Sequence, residues 1–169
     1  MVELTGKLLV ALPALADSNF DRTVVLVLTH SAEGAVGVVL NRPSTTDLGE
    51  PLPRWEDVAA EPPVVFVGGP VEPDVAIALG HDERGFEVVD LDGDPALVTV
   101  QEIRVFAGYA GWTGGQLEDE LVEGAWAVVD AEPADAFRAD ATELWYDVLG
   151  RQSGSLARLA NLPEDPSVN

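Results

Sequence analysis

The chain has 169 residues, of which 47% are hydrophobic, and a formal net charge of −21. This size and apolar content suit one hydrophobic core, so a single domain is predicted over residues 1–161, with a polar tail at 162–169 that we expect to fray. The charge argues against direct nucleic-acid binding, because affinity for phosphate backbones comes mainly from lysine and arginine. The chain has no cysteine, which excludes disulfides and thiolate ligands.

The first residues imitate a secretory signal, with an apolar run at residues 8–15 that follows Lys7. Glu3 spoils the basic region that a signal requires, and Pro13 interrupts the apolar region. No apolar run approaches the roughly 20 residues that a membrane-spanning helix needs. The sequence therefore predicts a cytoplasmic protein without a membrane partner.

Short apolar runs rich in β-branched residues predict most of the secondary structure as strands. Residues 7–12, 23–29 and 34–40 are continuously apolar, which indicates strands buried on both faces. Six further strands are predicted at residues 63–67, 74–79, 85–90, 96–100, 103–107 and 125–129. Turn-forming residues predict loops at 42–47, 80–85 and 90–95.

Helices are predicted mainly in the last third of the chain. Thr113 and Gln116 form a capping-box pattern for a helix over residues 113–123. A stripe at helical spacing predicts a second helix over residues 133–150, with the core positions Phe137, Ala141, Leu144, Trp145 and Val148. Shorter helices fit within residues 47–60 and 155–161. Many strands with a few late helices favour an α+β fold around a mixed sheet.

Catalytic and cofactor signatures are missing from the sequence. His30 closes an apolar strand, where we expect backbone or a nearby acid to satisfy its ring, and His81 lies in a polar turn. The glycines at 108–115 match neither dinucleotide-binding nor P-loop spacing, and no serine lies in a G-x-S-x-G motif. The sequence thus predicts no catalytic residue, metal ligand or cofactor.

One group of residues is chemically suited to a small anionic ligand. A guanidinium, exposed backbone amides and aromatic walls could share a cleft formed by six candidate ligand-binding residues: Asn41, Arg42, Gly68, Gly69, Tyr109 and Trp112. The alternative is structural, with Arg42 paired to Asp21 or Glu118, the glycines in turns and the aromatics in the core. The residues alone leave both interpretations open.

Several unusual motifs resemble the AlgH/YqgE family of bacterial proteins. They comprise residues 6–11 with Pro13 and Leu15, then Phe20, residues 22–25, His30, residues 34–43, 68–71, 108–112 and 115–118, and Trp126. They follow the family's order across nearly the whole chain. Residues 72–80 depart from the family pattern, which typically continues toward Arg-Gly-Phe and Leu-His, and the segment before Phe106 is shortened.

The resemblance implies a compact α+β fold whose bifurcated mixed sheet curls into a pseudo-barrel with a few flanking helices. Family members are often labelled transcriptional regulators, and no activity is generally established for them. The resemblance therefore implies a regulatory or binding protein without a defined catalytic set. An enzyme or binder acting on a small anionic ligand near Arg42, Gly69 and Trp112 is the alternative.

Overall fold

The computed structural model describes residues 3–13, 20–98 and 102–160. Its strands are β1 (Leu8–Ala11), β2 (Val24–Ser31), β3 (Gly34–Val39), β4 (Pro43–Asp47), β5 (Val64–Val67), β6 (Val71–Asp82), β7 (Gly85–Val89), β8 (Ile103–Thr113) and β9 (Trp126–Val129). Its α-helices are α1 (Gln116–Val122), α2 (Pro133–Phe137), α3 (Leu144–Gly150) and α4 (Ser155–Leu159). Short 3₁₀ helices occupy Pro53–Val58, Pro95–Leu97 and Ala141–Glu143. No helix within these ranges has the length and apolar content to cross a membrane.

The nine strands form one sheet that branches at β8. The main path runs β4-β5-β8-β3-β2-β1-β9, and the β6–β7 hairpin leaves this path where β6 pairs with β8. The first half of β8 pairs with β6 and, in parallel, with β5, whereas its second half pairs with β3. The branched sheet curls into a half-barrel, so the predicted α+β fold with a bifurcated mixed sheet is confirmed.

Both faces of the central strands are covered, as their continuous apolar sequences predict. Leu8 and Val10 of β1 join the core cluster beneath α3, whereas Leu9 and Ala11 join a second cluster beside α1. A third cluster surrounds Trp55 between the first 3₁₀ helix and β6–β8. Because successive side chains of a strand point to opposite faces of the sheet, the single apolar run of β1 contributes to two cores.

Several predicted loops and strands differ from the structure. Residues 43–47, predicted as a loop, form β4 because β5 offers them a hydrogen-bonding partner. The predicted loop at 80–85 shrinks to a tight turn, since β6 continues to Asp82 and β7 begins at Gly85. The predicted strand at 96–100 begins as 3₁₀ helix at Pro95–Leu97, and its residues 99 and 100 lie outside the described ranges.

The predicted helices are also revised. The apolar stripe of residues 133–150 is buried as predicted, but Arg138 adopts an extended conformation with ψ 144° that separates α2 from α3. Thr113 ends β8 and is not the cap of α1, which follows Gly115 at φ +83°. Part of the predicted capping box survives, since the Thr113 backbone N–H donates to the Gln116 carboxamide oxygen at 3.0 Å.

Candidate functional site

The backbones of most predicted ligand-binding residues meet where the sheet branches. The backbone N–H of Val67 donates to the Arg42 carbonyl at 2.8 Å, and Gly68 bonds through its N–H to Ala107 and through its carbonyl to Val39, both at 2.8 Å. A Cβ on Gly69 would lie 2.2 Å from the carbonyl carbon of Tyr109. These glycines therefore allow the β5–β6 connection to pack directly on the β8 backbone.

Asn41 and Arg42 contact the turn that precedes β2. The Asn41 carboxamide accepts from the Val24 N–H at 3.0 Å and donates to the Arg22 carbonyl at 2.9 Å. The Arg42 guanidinium lies 3.4 Å from the Asp21 carbonyl oxygen. Arg22 has φ +54°, an uncommon conformation for a residue with a side chain, and Asn41 helps to hold it. Asn41 and Arg42 thus tie the end of β3 to a strained turn.

The two predicted aromatic residues reach different surroundings. The Tyr109 hydroxyl donates to Glu72 at 3.1 Å, a contact that raises the pKa of Tyr109. Trp112 is buried in the second core cluster, where its indole N–H donates to Glu120 at 3.0 Å. The Trp126 indole donates to the same Glu120 oxygen at 2.8 Å. The sheet junction therefore gathers the other five predicted residues, and the Trp112 side chain belongs to a separate aromatic cluster.

His30 uses both ring nitrogens in contacts within the fold. Its Nδ1 accepts from the Leu4 backbone N–H at 3.1 Å, so Nε2 carries the proton and donates to Glu118 at 3.0 Å. The pKa of Glu118 is lowered by hydrogen bonding from its own backbone N–H and then by His30. His30 thus joins the segment before β1 to α1. Within the described ranges, no three histidine or acidic side chains are placed to hold a metal ion.

A mostly apolar groove of about 510 Å³ lies between β2 and the β6–β7 hairpin, away from the predicted residues. It is lined by residues 26–29 of β2, residues 84–88 of the hairpin, and Thr5, Gly6, Leu79, Ala131 and Pro133. Leu26 and Leu79 form its fully buried floor, whereas Arg84 and Glu87 are exposed at its rim. The groove is open and apolar, the combination expected of a binding surface.

The β7 side of the groove has an unusual exposed valine. Phe86 faces the first core cluster, and Val88 lies two residues along, on the same face of the strand. Val88 is nevertheless 61% exposed. Among the described strands, β7 pairs only with β6, so its other edge borders the groove. The sequence predicts β7 as a strand but carries no signal that it lies at an edge.

The fold and its open groove define a class of protein: a single-domain α+β half-barrel with a branched sheet and a surface suited to binding. A sequence profile described as AlgH-like matches residues 8–157. The chain belongs to the AlgH-like family, which confirms the resemblance of its motifs. The family has no established function.

Known relatives agree with this assignment along almost the whole chain. A UPF0301 protein of Streptomyces avermitilis is 50% identical over 184 residues, covering 98% of this chain and 95% of the relative. A UPF0301 protein of Thermobifida fusca is 44% identical over 191 residues, covering 99% and 96%. 

Two experimental structures share the fold. The crystal structure of a Corynebacterium diphtheriae protein matches with a TM-score of 0.89 at 28% identity, covering 95% of this chain and 93% of the other. The solution structure of the AlgH protein from Pseudomonas aeruginosa matches with a TM-score of 0.72 at 29% identity, covering 97% and 96%.

Proposed function

We propose that this protein is a non-enzymatic regulatory protein of the cytoplasm that acts by binding a partner in the groove between β2 and β7. The observation that supports the proposal is the groove of about 510 Å³ itself, which combines a buried leucine floor with an exposed apolar wall at Val88. Burial of such a wall is favourable in proportion to the apolar area removed from water. A partner that fills the groove therefore gains affinity from surface that is already positioned.

The contacts of His30, whose ring the sequence predicts to be satisfied by backbone or a nearby acid, also favour binding over catalysis. His30 is buried, and each of its ring nitrogens already has a protein partner. A general base needs a nitrogen that can reach a substrate proton. His30 would have to break the contact with Leu4 before it could serve, which supports a structural role for it.

The groove can be tested with Nile red, a neutral apolar fluorophore. Ala131 lines the groove and Ala134 lies exposed outside its lining, so Ala131→Trp fills the groove and Ala134→Trp is the matched control. We expect saturable Nile red fluorescence with the wild-type protein and with Ala134→Trp, and a loss of at least fivefold in affinity with Ala131→Trp. Equal affinity for all three proteins would contradict binding in the groove.

A second candidate function, supported by Arg42 beside the strained Arg22 turn, is binding of a small anionic ligand. In a chain of net charge −21, the Arg42 guanidinium lies 3.4 Å from the Asp21 carbonyl oxygen, beside the turn whose backbone Asn41 holds. A thermal-shift screen of nucleotides and anionic metabolites tests this candidate, because a ligand that binds only the native state raises its unfolding temperature. Any shift that persists undiminished in Arg42→Ala would refute this location.

The regulatory label carried by the family does not require contact with DNA. We propose that regulation proceeds through a protein or ligand partner, because a net charge of −21 repels phosphate backbones. Titration with duplex DNA at increasing salt tests this step. Binding at moderate salt with a slope that reports several phosphate contacts would show direct DNA recognition.

A further inference from the structure

One edge of β7 is unpaired among the described strands, and this edge suggests what kind of partner the groove accepts. β7 is a five-residue strand, Gly85–Val89, whose partner among the described strands is β6 alone. An edge strand presents a row of backbone N–H and C=O groups that can pair with another extended chain. Here that edge borders a groove with an apolar floor. The groove therefore offers main-chain pairing and side-chain burial together.

One face of β7 carries two apolar side chains, of which Phe86 is packed and Val88 is largely exposed. Phe86 is packed against Phe137, with ring centroids 6.4 Å apart. Val88 shares the face of Phe86 but is 61% exposed. Across the groove, Leu28 of β2 is only partly buried against the same core. A strand laid along β7 with an apolar residue toward the floor would cover both Val88 and Leu28.

The charge around β7 indicates which residues a strand that pairs with β7 should carry. Residues 82–94 carry six carboxylates against one arginine, Arg84. Arg84 is already bonded to Asp82 at 3.2 Å, so this cation is engaged within the hairpin. Glu87 lines the groove, and the other five carboxylates lie in the residues that flank β7. A basic segment complements this charge, whereas a second copy of the acidic hairpin would meet like charges. The charge thus favours a partner rich in lysine or arginine.

We propose that the groove binds an extended basic peptide segment, which adds as a strand to the outer edge of β7 and buries alternate apolar side chains over Val88 and Leu28. The inference rests on the groove being the binding site proposed above. The occupant is defined by chemistry: about five extended residues, apolar toward the groove and cationic toward the rim. Five residues match the length of β7.

The test uses a labelled octapeptide of alternating lysine and valine, measured by fluorescence anisotropy against the full chain. We expect saturable binding that weakens at least tenfold between 50 and 500 mM salt, since exposed charges are screened. Replacing the lysines with glutamates should abolish binding. Two further peptides carry N-methyl groups on all the lysines or on all the valines, which blocks one backbone edge at a time. At least one of them should lose binding, because strand addition needs a free edge.

Protein variants locate the peptide. Val88→Ala should bind about tenfold more weakly, since it removes the exposed apolar wall. Val128→Ala, at an exposed valine of β9, is the matched control and should bind as the wild type does. Hydrogen exchange should show new protection at residues 86–89 when the peptide is present. Near-ultraviolet circular dichroism confirms that both variants are folded.

Each contrary result has a distinct meaning. Binding that survives both N-methylated peptides would overturn strand addition, and equal binding of the lysine and glutamate peptides would overturn charge recognition. Nile red binding without peptide binding would overturn the peptide inference and leave the groove as the binding site for another apolar ligand. Failure of both probes would overturn the inference and the proposed function together.

Discussion

Replacing the buried Arg104 should destabilise the protein substantially. Arg104 lies in β8 and is 2% exposed, and none of the ion pairs within the described ranges involves it. Its guanidinium donates to the carbonyls of Ala136 at 3.2 Å, Arg138 at 3.0 Å and Glu61 at 2.5 Å. The same group lies 4.2 Å from the centre of the Phe66 ring. One side chain thus holds the end of α2 and the segment before β5 against the sheet.

The expected loss of unfolding free energy in Arg104→Met is the difference between two opposing contributions. Arg104→Met leaves three carbonyls without their donor, at about 2 kcal/mol each, or about 6 kcal/mol in total. Burial lowers the pKa of Arg104 to about 10, which corresponds to a cost of about 3 kcal/mol for keeping the guanidinium charged in the fold. The substitution removes that cost as well. The expected net loss is therefore about 3 kcal/mol of unfolding free energy.

Urea denaturation at pH 7, followed by tryptophan fluorescence and circular dichroism, measures this loss. The control is Arg54→Met, which removes an exposed arginine whose hydrogen bond to Gly93 is 3.3 Å long, and it should change stability by less than about 0.5 kcal/mol. Hydrogen exchange in α2 should accelerate in Arg104→Met. Stability equal to or above that of the wild type would refute the reasoning, because it would mean that desolvation of the charge outweighs all three hydrogen bonds.

Three further substitutions test the junction and the helix α1. Gly108→Ala places a Cβ 2.4 Å from a backbone oxygen at φ +74° and should cost more than about 3 kcal/mol in urea unfolding, whereas Gly124→Ala, at φ +78° with open space, should cost about 1 kcal/mol. Glu120→Ala removes the acceptor of two indoles and should shift tryptophan emission to longer wavelength, unlike Glu123→Ala at an exposed position. The lowered pKa of Glu118 means that its ionised form stabilises the fold above the ordinary glutamate range and loses this effect as the pH falls through the lowered value. The melting temperature of Glu118→Gln should therefore lie below that of the wild type at pH 7 and converge with it in acid; a constant gap would contradict the assignment.

The sequence correctly predicts the strands that are buried on both faces, because burial leaves a continuous apolar run. β1, β2 and β3 were predicted because their apolar runs are continuous, and each run is buried on both faces. β4 was missed because Pro43–Asp47 is polar and mostly exposed, so only its pairing with β5 makes it a strand. The break at Arg138 was missed because the apolar stripe continues through it. Pairing partners lie far apart in sequence and leave no local periodicity.

In the candidate site, too, the sequence predicts features that have a local pattern and misses those that depend on distant strands. The motifs at Gly68, Gly69 and Tyr109 marked a real junction, because glycine at a close backbone approach leaves a recognisable sequence pattern. Their role in binding an anion stays a prediction. The groove was not predicted, because the sequence does not reveal which strand lies at an edge. Val88 lies in a short stretch that the sequence predicts as a strand, and its 61% exposure depends on how strands distant in sequence are arranged.

The branch at β8 explains why the groove exists. From β8, one wing runs through β3, β2 and β1 to β9, and the other runs through β6 to β7. Gly108 lies between the two halves of β8, at φ +74°, and there is no room for a Cβ beside the Gly69 oxygen. The strand can therefore serve both wings, which diverge from it and enclose the first core cluster. β2 lies inside its wing, paired with β1 and with β3, and it faces β7, which among the described strands ends the other wing. The glycine at the junction thus lets the two wings part and leaves a groove between β2 and β7, where a further strand would pair with the edge of β7.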